Sequence, residues 1–379
     1  MAKDKKIGEF FLPTHIIFGP GSIGRLGEET SKWGKKVLLV TGKKSLAQSG
    51  VREKILKDLE EKGMEVVLFE GVESDPSIDT VDRGVKVAEE EKVEVVVGIG
   101  GGSVLDCAKA VAGVAGKGRK TEEFLEGVPL PPPSLPFIAV PTTAGTGAEV
   151  TNNAVLTHPG KVYKKSLRAK FLLAKVALVD ASLTLSLPPQ ITAYCGMDTL
   201  TQLIESYVTL PSNPITDALS LKGIELVKRS LVEAVKNGKN LSAREDMSMA
   251  SLLSGIALTN SGLGAVHGLA HPLGARWKIP HGLACALLLP FVVRYNLPVR
   301  EEKYSRIAEI LTGSANAYYL PSFLLEWNYQ LGIKERLRDF QIKEKDFSWI
   351  AENSFSGSMF KNPRPVKVED LKEILRSAW

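Results

Sequence analysis

Cysteine is scarce in this chain. Its three residues, Cys107, Cys195 and Cys285, lie far apart with no CxxC spacing. That spacing argues against a disulfide framework and fits a reducing compartment. Blocks of like charge are missing too: 48 basic and 43 acidic residues are interleaved, so the formal charge of +5 leaves no nucleic-acid footprint. Long apolar runs are equally short. MAKDKKIGEF is followed by no apolar stretch of signal length, and ACALLLPFVV at 284 to 293 is about half a membrane span. These absences predict a cytoplasmic protein with neither membrane nor nucleic acid as partner. Histidine is also sparse, five in all, which makes its placement informative.

The 379 residues exceed what one core usually organises, and at roughly 100 to 200 residues per domain they predict two domains with a cleft between them. FFLPTHIIFGPGS reads as an extended hairpin with a Gly-Pro-Gly turn. KVLLVT, ending before Gly42, MEVVLFE (64–70), VEVVVGI (93–99) and FIAV read as strands buried on both faces, separated by charged amphipathic helices. VPLPPPSLP at 128–136 is a rigid surface loop. From about residue 186 strand signals stop and long helical patterns follow. The expected fold is an α/β Rossmann-like domain over 1–184, a parallel sheet flanked by helices, and an all-helical domain over 185–379.

One strand runs into Gly100, Gly101, Gly102 and Ser103 and then a helix. Glycines let backbone approach an anion closely, and the first amides of a helix are unpaired donors, so this turn suits a phosphate. The run departs from GxGxxG, since Gly98, Gly100 and Ser103 hold those three positions. PTTAGTGAEVT at 141–151 offers Thr142, Thr143, Thr146 and Gly147 to line a dinucleotide. At the first strand end Gly42, Lys43, Lys44 and Ser45 bring two ammonium groups and no carboxylate, which predicts NADP(H) over NAD(H).

Three of the five histidines, His267, His271 and His281, fall within fifteen residues. His267 and His271 are four apart and share a helix face, while Pro272 and Gly274 are expected to end that helix and return the chain to present His281. Imidazoles suit zinc or ferrous iron. CGMDTLTQLIESY adds Asp198 on an apolar face, costly there unless paired or metal-bound, with Gln202 one turn on. Glu205 lies near the same stripe, as a structural partner or as a hydrogen-bond partner behind a ligand. His15 and His158 are assigned to the surface. Apolar Phe, Leu and Trp277 near the histidines suggest a small, hydrophobic alcohol or aldehyde.

With both halves in view, the chain resembles the iron-dependent (group III) alcohol dehydrogenase family over nearly its full length. The likeness is carried by F-LP--I-FG-G at 10–21, GGGS--D--K at 100–109, PTTAGTGAEVT at 141–151, HG-AH with HG at 267–282, and the closing KNPRPVKVEDLKEIL. It implies a nicotinamide in the cleft and metal ligands on Asp198, Gln202, His267 and His281. Members using iron have histidine where Gln202 stands, whereas related zinc glycerol dehydrogenases manage with one Asp and two His. The expected metal is Fe(II) first and Zn(II) second. The resemblance further makes His271 the proton relay, sets Asp106 and Lys109 on the helix after the glycine turn, and brings Lys164 near the nicotinamide. NAD-preferring members carry Asp at the place of Gly42.

The implied reaction passes a hydride between a small primary alcohol and the nicotinamide, with the alcohol oxygen ionising at an open metal position near Asp198. Alternatives are a glycerol or diol dehydrogenase, a dehydroquinate synthase-like lyase, for which Arg276 and Lys278 are the basic residues near the histidines, and a metal-free nucleotide-binding protein. The N-terminal hairpin offers an edge for a homodimer.

Overall fold

The computed structural model describes residues 9–43 and 51–379, so Lys44 and Ser45 lie outside the described residues. Among the described residues eight strands are formed: β1 (His15–Phe18), β2 (Lys36–Gly42), β3 (Glu65–Val72), β4 (Val95–Gly100), β5 (Phe137–Pro141), β6 (Asn153–His158), β7 (Tyr163–Arg168) and β8 (Val176–Val179). Six make one parallel sheet in the order β1-β8-β5-β4-β2-β3. The order reverses beside β2, and Thr41 faces Ile99 while Gly100 faces Pro141. The carboxyl ends of β2, β4 and β5 therefore meet at one crevice, the place where open α/β sheets bind ligands. β4 is buried along its whole length, as its unbroken apolar sequence requires.

The flanking helices are α1 (Leu26–Ser31), α2 (Arg52–Glu61), α3 (Ile78–Glu90), α4 (Gly102–Val114) and α5 (Thr121–Leu125). Three details differ from expectation. No hairpin forms at the start: β1 is a single edge strand in register with β8, because Gly19 (φ +132°) and Gly21 (φ +83°) turn the chain into a short 3-10 helix at Ser22–Arg25. β8 itself escaped the sequence reading. So did the antiparallel pair β6–β7, whose polar YKKSLR half lacks the apolar run that marks a buried strand.

After β8 the described residues form helices: α6 (Pro189–Val208), α7 (Pro214–Lys236), α8 (Leu241–Ser261), α9 (Ala265–Trp277), α10 (His281–Asn296), α11 (Glu301–Thr312), α12 (Leu320–Gln330), α13 (Phe347–Glu352) and α14 (Val368–Ala378). α6 is buried from Gly196 through Val208, so Asp198, Gln202 and Glu205 sit inside the protein. Pro272 and Gly274 do not end α9. It runs on to Trp277 and stops at Lys278 in a left-handed conformation. A mid-helix proline forfeits one hydrogen bond, and the fully buried Leu269 and Leu273 on either side hold the helix despite that loss. Pro280 then caps α10, which opens on His281. The apolar run noted above belongs to a 19-residue helical stretch, His281–Val299, long enough to cross a membrane but mostly buried in the helical core.

Candidate metal centre and nucleotide cleft

Three helices deliver the central cluster. Asp198 comes from α6, His267 from α9, and His281 with Cys285 from one face of α10, four residues apart. Asp198 Oδ1 lies 3.3 Å from His267 Nε2 and 3.7 Å from His281 Nε2. Cys285 Sγ lies 3.9 Å and 3.8 Å from the same two nitrogens. One ligand atom from each of the four falls within 4.8 Å of every other. Glu205 accepts from His267 Nδ1 at 2.6 Å and from the Val266 amide at 2.7 Å. With Nδ1 carrying the proton, the Nε2 lone pair points into the cluster. Burial alone would raise the Asp198 pKa, but the imidazoles of His281 and His267 more than offset it and hold the carboxyl below its usual range.

A cleft of about 400 Å³ opens onto this cluster. His267, His271, His281 and Gln202 line it on the helical side, and Gly102, Ser103, Asp106, Thr146 and Lys164 on the sheet side. Burial first, with repulsion from His281 and His267, pushes His271 down to about 3, and its Nδ1 has no hydrogen-bond partner. The Gln202 side chain is engaged: its Oε1 accepts from Ser254 Oγ of α8 at 2.7 Å, and its amide helps to keep the Asp198 carboxyl ionised.

On the sheet side, the turn from β4 into α4 is crowded. A Cβ on Gly102 would meet Thr146 at 2.6 Å. Asp106 Oδ2 accepts from the Val155 amide at 2.9 Å, and Lys109 Nζ donates to Ala148 O, Thr151 Oγ1 and Asn153 O at 2.8 to 2.9 Å. The pair thus ties the threonine-rich loop and β6 to the glycine turn. Burial pushes Asp106 up to about 6 and Lys109 down to about 8. Lys164 Nζ pairs with Asp75 at 2.6 Å beside the cleft. Gly147 is placed differently from the expectation that it lines a dinucleotide. At φ +61° it faces Gly255 of α8, where a Cβ would come within 2.5 Å of that residue's Cα. Its smallness lets the nucleotide loop pack on the helical part. Thr142 is buried beside β4, its amide bonded to Gly100 O, and Thr143 packs against Gly101.

A second hollow forms at the end of β2 from Gly42, Lys43, Arg52, Glu53, Glu70 and their neighbours. The described residues at the strand end, Gly42 and Lys43, carry no carboxylate, and Arg52 is held by Glu70 at 3.0 Å.

Residues 13–181 match the family described as iron-containing alcohol dehydrogenase, and residues 192–379 match the C-terminal family of Fe-containing alcohol dehydrogenases. The chain belongs to the iron-containing alcohol dehydrogenase family. The 1,3-propanediol dehydrogenase of Citrobacter freundii is 39% identical, with 98% of each chain covered. The NAD-dependent methanol dehydrogenase of Bacillus methanolicus is 33% identical, over 97% of this chain and 99% of the relative. A solved 1,3-propanediol oxidoreductase is 38% identical, with a TM-score of 0.94 over 99% of this chain and 100% of that one.

This alcohol dehydrogenase also corrects several local expectations. Trp277 does not line the cleft; it packs edge-on against Trp349 with Arg276 over both rings. Lys278 reaches back to Ala275 O. The cationic residues lining the cleft are Lys164, Arg168 and Lys361, two of them on β7. His158 is largely enclosed, 3.0 Å from Glu122, rather than a surface turn residue, while His15 is exposed on the edge strand. Cys285 was read only as a scattered cysteine. Its i,i+4 spacing from His281 on an apolar helix was the signal that could have marked it.

Proposed function

We propose that this chain is a metal-dependent dehydrogenase that passes hydride between a small alcohol or aldehyde and NADP(H). The observation that carries the reading is the convergence of Asp198 Oδ1 on His267 Nε2 and His281 Nε2, two histidines that line a cleft whose opposite wall includes Gly102 and Ser103 of the turn after β4. The donor set fits a divalent cation: one carboxylate oxygen and two imidazole nitrogens, mutually close, with Asp198 and His267 buried and His281 half-buried. When bound, the metal would supply Lewis-acid polarisation of the substrate oxygen and the nicotinamide the hydride.

The chain's own residues do the positioning. Glu205 fixes the His267 tautomer through Nδ1. The turn at Gly100 to Ser103 offers backbone amides to the pyrophosphate, Thr142, Thr143 and Thr146 stand beside it, and Lys164 flanks the nicotinamide end. His271, neutral and lining the cleft, passes the substrate proton outward through its unpartnered ring nitrogen. NADP(H) preference rests on the missing carboxylate at Gly42 and on Lys43, against Glu53 and Glu70 in the same hollow. The division near residues 184 and 185 separates the nucleotide wall from the metal wall. β1, an edge strand, is the route to a homodimer.

Elemental analysis of anaerobically purified protein, with NADPH and NADH oxidation by propanal, tests this. About one metal per chain and at least a tenfold NADPH preference, worth about 1.4 kcal/mol, are expected. Metal-free protein inert with both cofactors would leave only a nucleotide-binding protein.

One observation bears on the substrate's far end. Arg168 and Lys361 line the cleft, burial lowers both pKa values, Arg168 adds repulsion at Lys361, and no acid is among the groups acting on either. Unpaired cations there favour a substrate with a polar or anionic tail, a diol or an aldehyde acid, over a purely apolar alcohol. Lys361→Ala should lower kcat/KM for succinate semialdehyde relative to butanal; an unchanged ratio removes the argument.

A further inference from the structure

We infer that Cys285, not Gln202, is the fourth protein ligand of the metal centre, giving an N2OS donor set suited to zinc. The inference rests on the proposed ligand role of Asp198, His267 and His281.

Distances come first. Around a tetrahedral ion with N and O at roughly 2.1 Å and S at roughly 2.3 Å, N–O edges are about 3.4 Å and S–N edges about 3.6 Å. The edges here are 3.3 and 3.7 Å from Asp198 and 3.8 and 3.9 Å from Cys285. Four of the six edges thus stand within about 0.3 Å of those values, and all six are within 4.8 Å.

Surroundings come second. Cys285 is fully buried, and its hydrogen-bond contacts are the two imidazole nitrogens. Cys107 sits in the apolar core of the sheet domain, and Cys195 packs against Gly145. Cysteine is thus placed among polar donors at one of its three positions.

Gln202 is the third point. An amide ligates metals through oxygen, and that oxygen already accepts from Ser254 at 2.7 Å. Its amide side faces Asp198, so in this arrangement it orients the carboxylate rather than replacing a ligand. Gln202 lines the cleft whereas Asp198 and Cys285 do not. The sulfur therefore closes the protein side of the site and leaves the cleft side for substrate. A thiolate in place of a third imidazole shifts preference from ferrous iron toward zinc or cobalt.

The test is to strip the full-length protein with a chelator, titrate it with Co(II), and record the absorption spectrum. A sulfur-to-cobalt charge-transfer band in the near ultraviolet, saturating at one equivalent, is expected for the wild type. It should vanish in Cys285→Ser and persist in Cys195→Ser and Gln202→Ala. Zinc affinity in Cys285→Ser should fall by more than the roughly 10- to 100-fold that removing an outer partner costs. Cobalt binding in the wild type without the band overturns the assignment of Cys285 while leaving the metal site standing. No cobalt binding at all overturns both. The wild-type spectrum decides the matter even if a variant fails to fold.

Discussion

The two walls of the cleft are built by opposite rules. The sheet wall works with backbone: Gly100 to Ser103 and the threonine loop offer amides and small surfaces, and their side chains matter mainly by being small. The helical wall works with side chains: Asp198, His267, Cys285 and Glu205 are buried and His281 half-buried, ionisable groups within a few ångströms, each needing the others to offset the cost of leaving water. A backbone site therefore tolerates many substitutions but fails when bulk is added. A side-chain site fails when any member is removed.

That contrast can be broken by experiment. The largest effect is expected from His267→Ala, which removes a metal donor and leaves the buried Glu205 with the Val266 amide but without its imidazole partner. Turnover should fall at least a thousandfold and metal content should drop toward zero, while calorimetric NADPH binding stays within a few fold. Retained metal at wild-type stoichiometry would show that His267 is no ligand. Gly102→Val should give the reverse pattern. Its Cβ would press on Thr146 at 2.6 Å, and overpacking of about 1 to 3 kcal/mol predicts a roughly tenfold or greater rise in the NADPH dissociation constant with metal content unchanged. If both variants lose both ligands, the two walls are one cooperative unit and the comparison fails.

The smallest effect concerns pH. Burial raises Glu149 to about 7, with Lys109 acting in the opposite direction. The folded state therefore keeps this proton at pH values where the unfolded chain, near 4.5, has released it. The stabilising contribution is present in full below about 4.5 and is lost as pH rises to about 7. Glu149→Gln should flatten that slope, raising Tm at pH 8 relative to pH 5 by a few degrees compared with wild type. An unchanged difference would mean Glu149 does not titrate in that window.

Much of the fold was legible in the sequence because it is written locally. Buried parallel strands are continuous apolar runs, so β2 to β5 stood out, and three glycines between a strand and a helix announced the crevice. β1 was read as extended but given the wrong pairing, and β8 did not stand out, since each is four residues long and is placed by its partner rather than by its own pattern. The polar β7 was missed because YKKSLR has no apolar run, although it carries Lys164 and Arg168 into the cleft. Pro272 was read as a helix end by local rule, and tertiary packing of Leu269 and Leu273 overrode it.

The sequence by itself determined that a histidine cluster and a buried aspartate exist, that a glycine turn follows a strand, and which family the motifs resemble. Only the tertiary structure decided which donors share a point in space. Asp198, His267 and the His281–Cys285 pair ride on three helices separated by up to 87 positions, and no spacing rule acts over such distances. Helix packing brought Cys285 into the cluster, turned Gln202 toward Ser254, and set Glu205 behind His267.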